Sequence, residues 1–203
     1  MNASITIVPT GTANLASVIA GLTRHGAEPS LARDAGDVQR ASRVVLPGVG
    51  SFGAAMAEVD RRGMRRALTE RIRAGRPTLA VCVGMQLLAV ESEESEGAEG
   101  LGVIPARVQR FSNEVLVPQL GWNQVVAGPE SRFIEDGWAY FANSFRLSDA
   151  PAGWSGATTD HGGEFVSALE RDDVLACQFH PELSGPWGRR VLAKWLDATE
   201  GRP

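Results

Sequence analysis

The sequence predicts an α/β fold in which a largely parallel central sheet is flanked by helices. In the first half of the chain, apolar runs of strand length alternate with segments of helical spacing, which is typical of strand–helix–strand units. From about Gly102 onward, short strand-like runs follow one another with Gly, Pro and Asp between them, which indicates a β-rich second half. The 203 residues fit a single domain, 1–203.

Three strand–helix pairs account for the first half of the chain. The predicted strands cover residues 4–8, 43–46 and 77–81, and the predicted helices cover residues 14–25, 54–74 and 83–90. HGAEP, residues 25–29, predicts a turn, and Gly75 predicts a helix end. The expected later strands are ARVQRF, NEVLVPQ, WNQVV, WAYFANSF, EFVSALE and VLACQFH, and a helix with one apolar side is expected over residues 185–199.

Charge and composition exclude several classes of function. The net charge is −4, with no basic stripe, so neither nucleic acid nor an anionic membrane is an expected partner. No apolar run reaches bilayer length and no signal peptide is evident, which predicts a cytoplasmic protein. The two cysteines and three histidines lack metal-ligand spacing, so we expect neither a metal nor a cofactor.

A candidate nucleophile lies at Cys82, where a strand-like run changes at once into a helix-like pattern. Strand, sharp turn and helix form the pattern of a nucleophile elbow, and small residues two positions before and after it, here Ala80 and Gly84, let the backbones cross closely. A helix N-terminus favours the thiolate and can hold a developing oxyanion. The strict pattern has glycine instead of Ala80, and on the pattern alone a buried core cysteine remains the alternative.

A candidate base lies in VLACQFHPEL, where a buried-looking strand ends in His180-Pro181-Glu182. Proline biases the preceding histidine toward an extended conformation, in which residues i and i+2 point to the same side. The imidazole of His180 and the carboxylate of Glu182 are therefore expected to meet and, with Cys82, to form a triad. Cys177, inside the strand, is expected to pack in the core.

The loop LPGVGSFG matches G-x-G-x-x-G at Gly48, Gly50 and Gly53, between a strand and a helix. A dinucleotide site would also need an acidic residue capping a second strand about 20 residues further on, but Glu70 falls inside a helical pattern. The alternative use of this loop is to direct backbone N–H groups toward an oxyanion formed at Cys82.

Together the elbow VCVGMQ, the loop LPGVGSF and QFHPE resemble the class I glutamine amidotransferase family. The resemblance implies the three-layer fold of that family. Further segments resemble one branch of it, from about Asn14 to Glu182: ANLASV, SEESEG, GLGVIPARVQRF, VPQLGWN, YFANSF and ATTDHGGEFVSAL. Members of this branch work in amino-acid biosynthesis with a separate (β/α)₈-barrel cyclase subunit, to which they deliver ammonia.

The resemblance also implies roles for individual residues. Cys82, His180 and Glu182 would hydrolyse glutamine through a thioester, and the oxyanion would be held by backbone N–H groups of Val83 and the Val49–Gly50 part of the glycine loop. The residues expected around the glutamine are Gly50, Gln86, Glu94, Ser144 and Phe145. Glu94 would pair with the ammonium group of the substrate.

Some positions depart from the family pattern. Leu183 replaces a basic residue, Gln119 and Asn143 replace histidines, and PTGTAN, residues 9–14, replaces a different turn. The alternatives to the cyclase-linked function are a glutaminase of the anthranilate or aminodeoxychorismate type and a non-catalytic module of the same fold. Binding of a dinucleotide is a further alternative.

Overall fold

A computed structural model describes residues 3–11 and 15–202. The elements up to the elbow are β1 (Ala3–Ile7), α1 (Leu15–Thr23), β2 (Ala27–Leu31), α2 (Ala35–Arg40), β3 (Arg43–Leu46), α3 (Phe52–Arg61), α4 (Arg65–Arg73), β4 (Thr78–Val81) and α5 (Val83–Gln86). Those that follow are β5 (Glu91–Ser92), β6 (Arg107–Arg110), β7 (Gln119–Val125), β8 (Gly137–Asn143), β9 (Phe145–Arg146), β10 (Ser155–Asp160), β11 (Glu164–Arg171), β12 (Val174–Cys177) and α6 (Gly185–Ala198).

The main sheet has seven strands in the order β10-β11-β12-β4-β3-β1-β2. The strands from β12 to β2 run parallel, and β10 and β11 are antiparallel, so the predicted α/β class with a largely parallel sheet is confirmed. Every residue of β3, β4 and β12 is buried, as expected for strands covered on both faces. Their carboxyl ends lie side by side and bring the glycine loop, Cys82 and the HPE segment to one edge.

Three predictions for the first half were wrong in detail, and two elements were not predicted. The helix expected over 54–74 is two helices, α3 and α4, because the chain turns at Gly63 with a φ of 66°. The helix expected over 83–90 ends at Gln86. Residues 27–29 of the expected turn belong to β2, where Pro29 is tolerated because this strand lies at the edge of the sheet. The strand β2 and the helix α2 were not predicted. The predicted first residue of α1, Asn14, lies outside the described residues, as do residues 12–13 of PTGTAN.

The second half is β-rich, as predicted, with three differences. NEVLVPQ is a loop up to Pro118, β10 was not predicted, and the strand expected to reach His180 ends at Cys177. The closing helix α6 is confirmed. Its buried residues include the expected Trp187, Val191, Leu192, Trp195 and Leu196.

Candidate active site

Cys82 occupies a strained corner between β4 and α5. Its φ of 54° and ψ of −113° lie in a region that non-glycine residues rarely adopt. A Cβ at Gly84 would collide with the carbonyl of Leu46, so close crossing of the backbones requires glycine there. The Cys82 N–H donates to the carbonyl of Cys177 at 2.7 Å, which fixes the corner to β12. This geometry is that of a nucleophile elbow.

His180 and Glu182 meet as predicted, although the chain between them follows a different path. Pro181–Leu183 form a 3-10 turn rather than an extended segment. The Nδ1 of His180 lies 2.9 Å from Oε1 of Glu182, and both side chains are more than nine-tenths buried. The His180 backbone N–H donates to the carbonyl of Tyr140 at 2.9 Å, which holds the segment against β8.

The environment of His180 favours the imidazolium. Burial lowers the pKa of His180, but hydrogen bonding and charge interaction with Cys82 and Glu182 outweigh it and raise the pKa to about 10. Because this pKa exceeds neutral pH, the arrangement favours the proton on the imidazole.

The predicted substrate residues Gln86 and Phe145 are brought together. The Nε2 of Gln86 donates to the backbone carbonyl of Phe145 at 3.2 Å and to Oε1 of Gln178 at 2.9 Å. Gln178 in turn donates to Sγ of Cys82 at 3.7 Å. The carbonyl of the adjacent Ser144 accepts the N–H of Phe111 at 3.1 Å. Sequence reasoning missed Gln178, although it lies in the QFHPE motif, since its contacts come from distant segments.

Glu94 contacts the glycine loop. Its Oε2 accepts the N–H of Phe52 at 2.6 Å, and Oγ of the neighbouring Ser95 accepts the N–H of Gly53 at 3.0 Å. These are the first two amides of α3, which would otherwise be unpaired at a helix start. The acidic run is therefore attached to the N-terminus of α3, where the glycine loop ends.

The glycine loop lies directly against the elbow. A Cβ at Gly48 would be only 2.7 Å from the backbone N of Gly84, and Gly50 has a φ of 90°. The N–H of Val83 donates to the carbonyl of Gly48 at 3.3 Å, so this predicted oxyanion donor is engaged by the loop. Val49 lines a small cavity together with His180 and Glu182. Of the predicted oxyanion residues, Val83 therefore follows the nucleophile directly and Val49 lies beside His180 and Glu182.

The same geometry argues against dinucleotide binding. Glu70 lies inside α4 and does not cap a strand, and Gly48 is needed for close packing on the elbow. The structure therefore gives no support to the dinucleotide interpretation of G-x-G-x-x-G.

The two positions where histidines are replaced are both buried and lie opposite each other in β7 and β8. Asn143 donates to the carbonyl of Phe145 at 3.1 Å. Neither polar atom of the Gln119 side chain has a hydrogen-bond partner within the described part of the chain. Leu183, beside the triad, is 43% exposed.

Within residues 3–11 and 15–202, no cluster of His, Cys, Asp and Glu could hold a metal ion. Nor is any helix in these ranges long and apolar enough to cross a membrane.

Comparison with known proteins defines the class of protein. The family model "Glutamine amidotransferase class-I" matches residues 15–198, which include the elbow, the glycine loop and the HPE segment. The chain belongs to the class I glutamine amidotransferase family.

Curated relatives narrow the class. A protein from Symbiobacterium thermophilum is 40% identical over 95% of this chain and 93% of its own length, and one from Methanothermobacter thermautotrophicus is 38% identical over 95% and 98%. Both are named "Imidazole glycerol phosphate synthase subunit HisH". A protein from Arabidopsis thaliana named "Imidazole glycerol phosphate synthase hisHF, chloroplastic" is 39% identical over 95% of this chain, but the match covers 34% of its length. Within the class I amidotransferases, the chain is therefore a member of the HisH group.

Solved structures agree on the fold. A glutamine amidotransferase superposes with a TM-score of 0.76 at 20% identity, covering 96% of this chain and 98% of the other. A chain of PurLQS from Thermotoga maritima gives a TM-score of 0.73 at 16% identity, covering 97% and 99%. The three-layer class I amidotransferase fold implied by the sequence is confirmed.

Proposed function

We propose that this chain is the glutaminase subunit of an imidazole glycerol phosphate synthase. It hydrolyses glutamine to glutamate and ammonia and passes the ammonia to a (β/α)₈-barrel cyclase subunit. That subunit makes imidazole glycerol phosphate and aminoimidazole carboxamide ribonucleotide in histidine biosynthesis. The observation that carries the proposal is the strained elbow at Cys82 beside the buried His180–Glu182 pair, in a chain whose relatives are HisH subunits.

In the proposed reaction, Sγ of Cys82 attacks the γ-carbonyl carbon of glutamine as a thiolate. The C–N bond of the tetrahedral intermediate breaks, and the departing amide nitrogen takes the proton held by His180, which releases ammonia and leaves a γ-glutamyl thioester. Water then attacks the thioester and gives a proton to His180, and the thiolate leaves as glutamate forms. Glu182, 2.9 Å from Nδ1, orients the imidazole and stabilises its charged form.

Backbone amides of Val83 and of the Val49–Gly50 segment hold the oxyanion in this proposal. The carbonyl of Gly48 now accepts the Val83 N–H, so the loop must turn that carbonyl away before the amide can bind the oxyanion. Gly50, with its φ of 90°, gives the loop the backbone freedom for a peptide flip.

The glutamine lies between the acidic run and β9 in this proposal. The carboxylate of Glu94 receives the substrate ammonium group, and Gln86, Gly50 and the Ser144–Phe145 segment line the rest of the site. The hydrogen bond from Gln86 to the carbonyl of Phe145 supports this grouping, because it holds two of these residues together.

An exposed apolar face of the β7–β8 hairpin is the proposed docking surface for the cyclase. Leu120, Trp122 and Trp138 are 69%, 54% and 57% exposed, and adjacent apolar side chains at this exposure mark interaction sites. β8 is bonded to the HPE segment through Tyr140, whose carbonyl accepts the N–H of His180. A partner bound here lies next to the triad and is placed to receive ammonia. The segment that matches this chain makes up 34% of the Arabidopsis relative, which supports a function carried out together with a second unit.

Substitution of the two cysteines tests the chemistry. With the barrel cyclase and its ligand present, Cys82→Ala should lower glutamate release by at least about a thousandfold, since it removes the nucleophile. Cys177→Ala is the matched control, because Cys177 is fully buried in β12 and the proposed mechanism does not use its thiol. Stimulated glutaminase activity that survived Cys82→Ala would contradict the thioester mechanism.

The docking surface is tested by a charge on the hairpin. Leu120→Asp should weaken cyclase binding at least about tenfold in calorimetry, because the interface would bury an unpaired carboxylate. Leu31→Asp is the control, since Leu31 is 49% exposed on β2, at the edge strand of the main sheet. Equal cyclase binding by both variants would exclude this surface as the docking site.

The alternative function is tested by co-purification. Recovery of a chorismate-binding subunit with this chain would favour the anthranilate type of glutaminase.

A further inference from the structure

Gln178 connects the nucleophile to a residue of the proposed glutamine site. Its side chain is fully buried, its Nε2 donates to Sγ of Cys82 at 3.7 Å, and its Oε1 accepts from Nε2 of Gln86 at 2.9 Å. Both ends of one amide are therefore used, one by the reactive sulfur and one by the Gln86 side chain.

The orientation of this amide is fixed by the hydrogen bonds around it. The Nε2 of Gln86 already donates to the backbone carbonyl of Phe145, so its second hydrogen needs an acceptor, which only the oxygen of Gln178 supplies among the contacts described. The nitrogen of Gln178 must then face Cys82. The backbone N–H of Gln178 donates to the backbone carbonyl of Ser167 in β11 at 2.8 Å, which anchors the residue.

This contact suits the charged form of the sulfur. An N–H donor stabilises a thiolate more than a neutral thiol, because hydrogen bonds to ionised acceptors are the stronger ones. His180, two residues further along the chain, also interacts with Cys82, which raises the pKa of the imidazole, so one short segment supplies both a charge partner and a neutral donor.

We propose that Gln178 is a positioning residue, which holds the Cys82 thiolate through an N–H···S hydrogen bond and ties it to Gln86. The inference rests on the proposed function in taking Cys82 as the nucleophile. The proposal adds that the sulfur of Cys82 is held at a fixed position relative to Gln86, whose side chain lines the proposed glutamine site.

The test follows alkylation of Cys82 by iodoacetamide as a function of pH, with peptide mass spectrometry to separate Cys82 from Cys177. Gln178→Met keeps the length and removes the donor, so the inflection should move to higher pH and the rate at a pH below the wild-type inflection should fall about three- to tenfold. Gln178→Glu keeps an acceptor for Gln86 but adds a negative charge near the sulfur, and its inflection should move further. Gln119→Met is the matched control, since it removes another buried amide, and its profile should match the wild type. Folded Gln178 variants with an unchanged inflection would overturn the proposal.

A second measurement uses the unsubstituted side chain in case the variants fold poorly. The side-chain amide signals of Gln178 in ¹⁵N NMR should shift as Cys82 titrates and when it is alkylated, whereas those of Gln119 should not. A Gln178 signal indifferent to both changes would overturn the proposal. Alkylation and NMR report on the contact between Gln178 and Cys82, whereas the proposed glutaminase activity is measured as glutamate release. A failure of the Gln178 proposal is therefore distinguishable from a failure of the proposed function.

Discussion

Replacing Glu182 with glutamine should lower the pKa of His180. The Nδ1 of His180 lies 2.9 Å from Oε1 of Glu182, and the side chains are only 7% and 6% exposed, so water screens the pair little. Glutamine keeps the shape and an acceptor oxygen but removes the charge. A hydrogen bond to a charged group is worth about 1.5–3 kcal/mol, which at about 1.4 kcal/mol per unit corresponds to a pKa lower by about 1–2 units. From the value of about 10 in the native protein, the pKa should fall to about 8 or 9.

The pKa of His180 is raised in the folded protein, and this direction determines the pH range of the assay. Because the pKa is raised on folding, the imidazolium stabilises the protein below the unfolded value of about 6.5, and this contribution is lost as pH rises through about 10. Titration of ¹⁵N-labelled histidine by NMR between pH 5 and 11 measures the pKa of His180 directly. The chain has three histidines, so the signals of His25 and His161 show whether the fold is intact in the variant. An unchanged midpoint for His180 in folded Glu182→Gln would refute the role of the carboxylate.

Two further substitutions test the packing, one in the core at β11 and one at the elbow. Glu170 is buried and accepts the backbone N–H groups of residues 132–134, so Glu170→Ala should lower the free energy of unfolding by about 3 kcal/mol or more in urea denaturation. Glu164 lies at the exposed end of the same strand, so the control Glu164→Ala should change the free energy of unfolding by less than about 0.5 kcal/mol. Gly84→Ala would place a methyl group against the carbonyl of Leu46, so it should lower both the melting temperature and glutaminase activity, and a variant with wild-type values of both would refute the close crossing at the elbow.

The strands of the sheet centre could be predicted because their sequences carry the signal of burial on both faces. RVVL, TLAV and VLAC are buried at every position, and runs of mainly apolar residues are typical of parallel strands. β2 could not be predicted, since AEPSL at the sheet edge is mostly exposed and contains proline. The apolar residues 87–90 also misled the prediction, because Leu87, Leu88 and Ala89 are buried without continuing α5, which ends at Gln86.

The parts of the site that could be predicted are short in sequence. His180 and Glu182 are two residues apart, so local geometry suffices for them to meet. The contact of Gln178 with Gln86, and that of Val83 with the carbonyl of Gly48, join segments far apart in sequence. Such contacts depend on strand order and register, which composition and periodicity do not determine.

The register of the central strands also explains Ala80, which departs from the glycine of the strict elbow pattern. Ala80 is fully buried and lies opposite Leu46 on one side and Ala176 on the other. A small side chain fits here because two strands flank it directly below the corner, and the closest approach occurs at Gly84 instead. Since a slip of one residue would turn every side chain of β4 to the opposite face, this register is what brings Cys82 to the edge where the glycine loop and His180 arrive. The elbow therefore requires glycine after the nucleophile, where the backbones cross, and tolerates alanine before it, where they run in parallel.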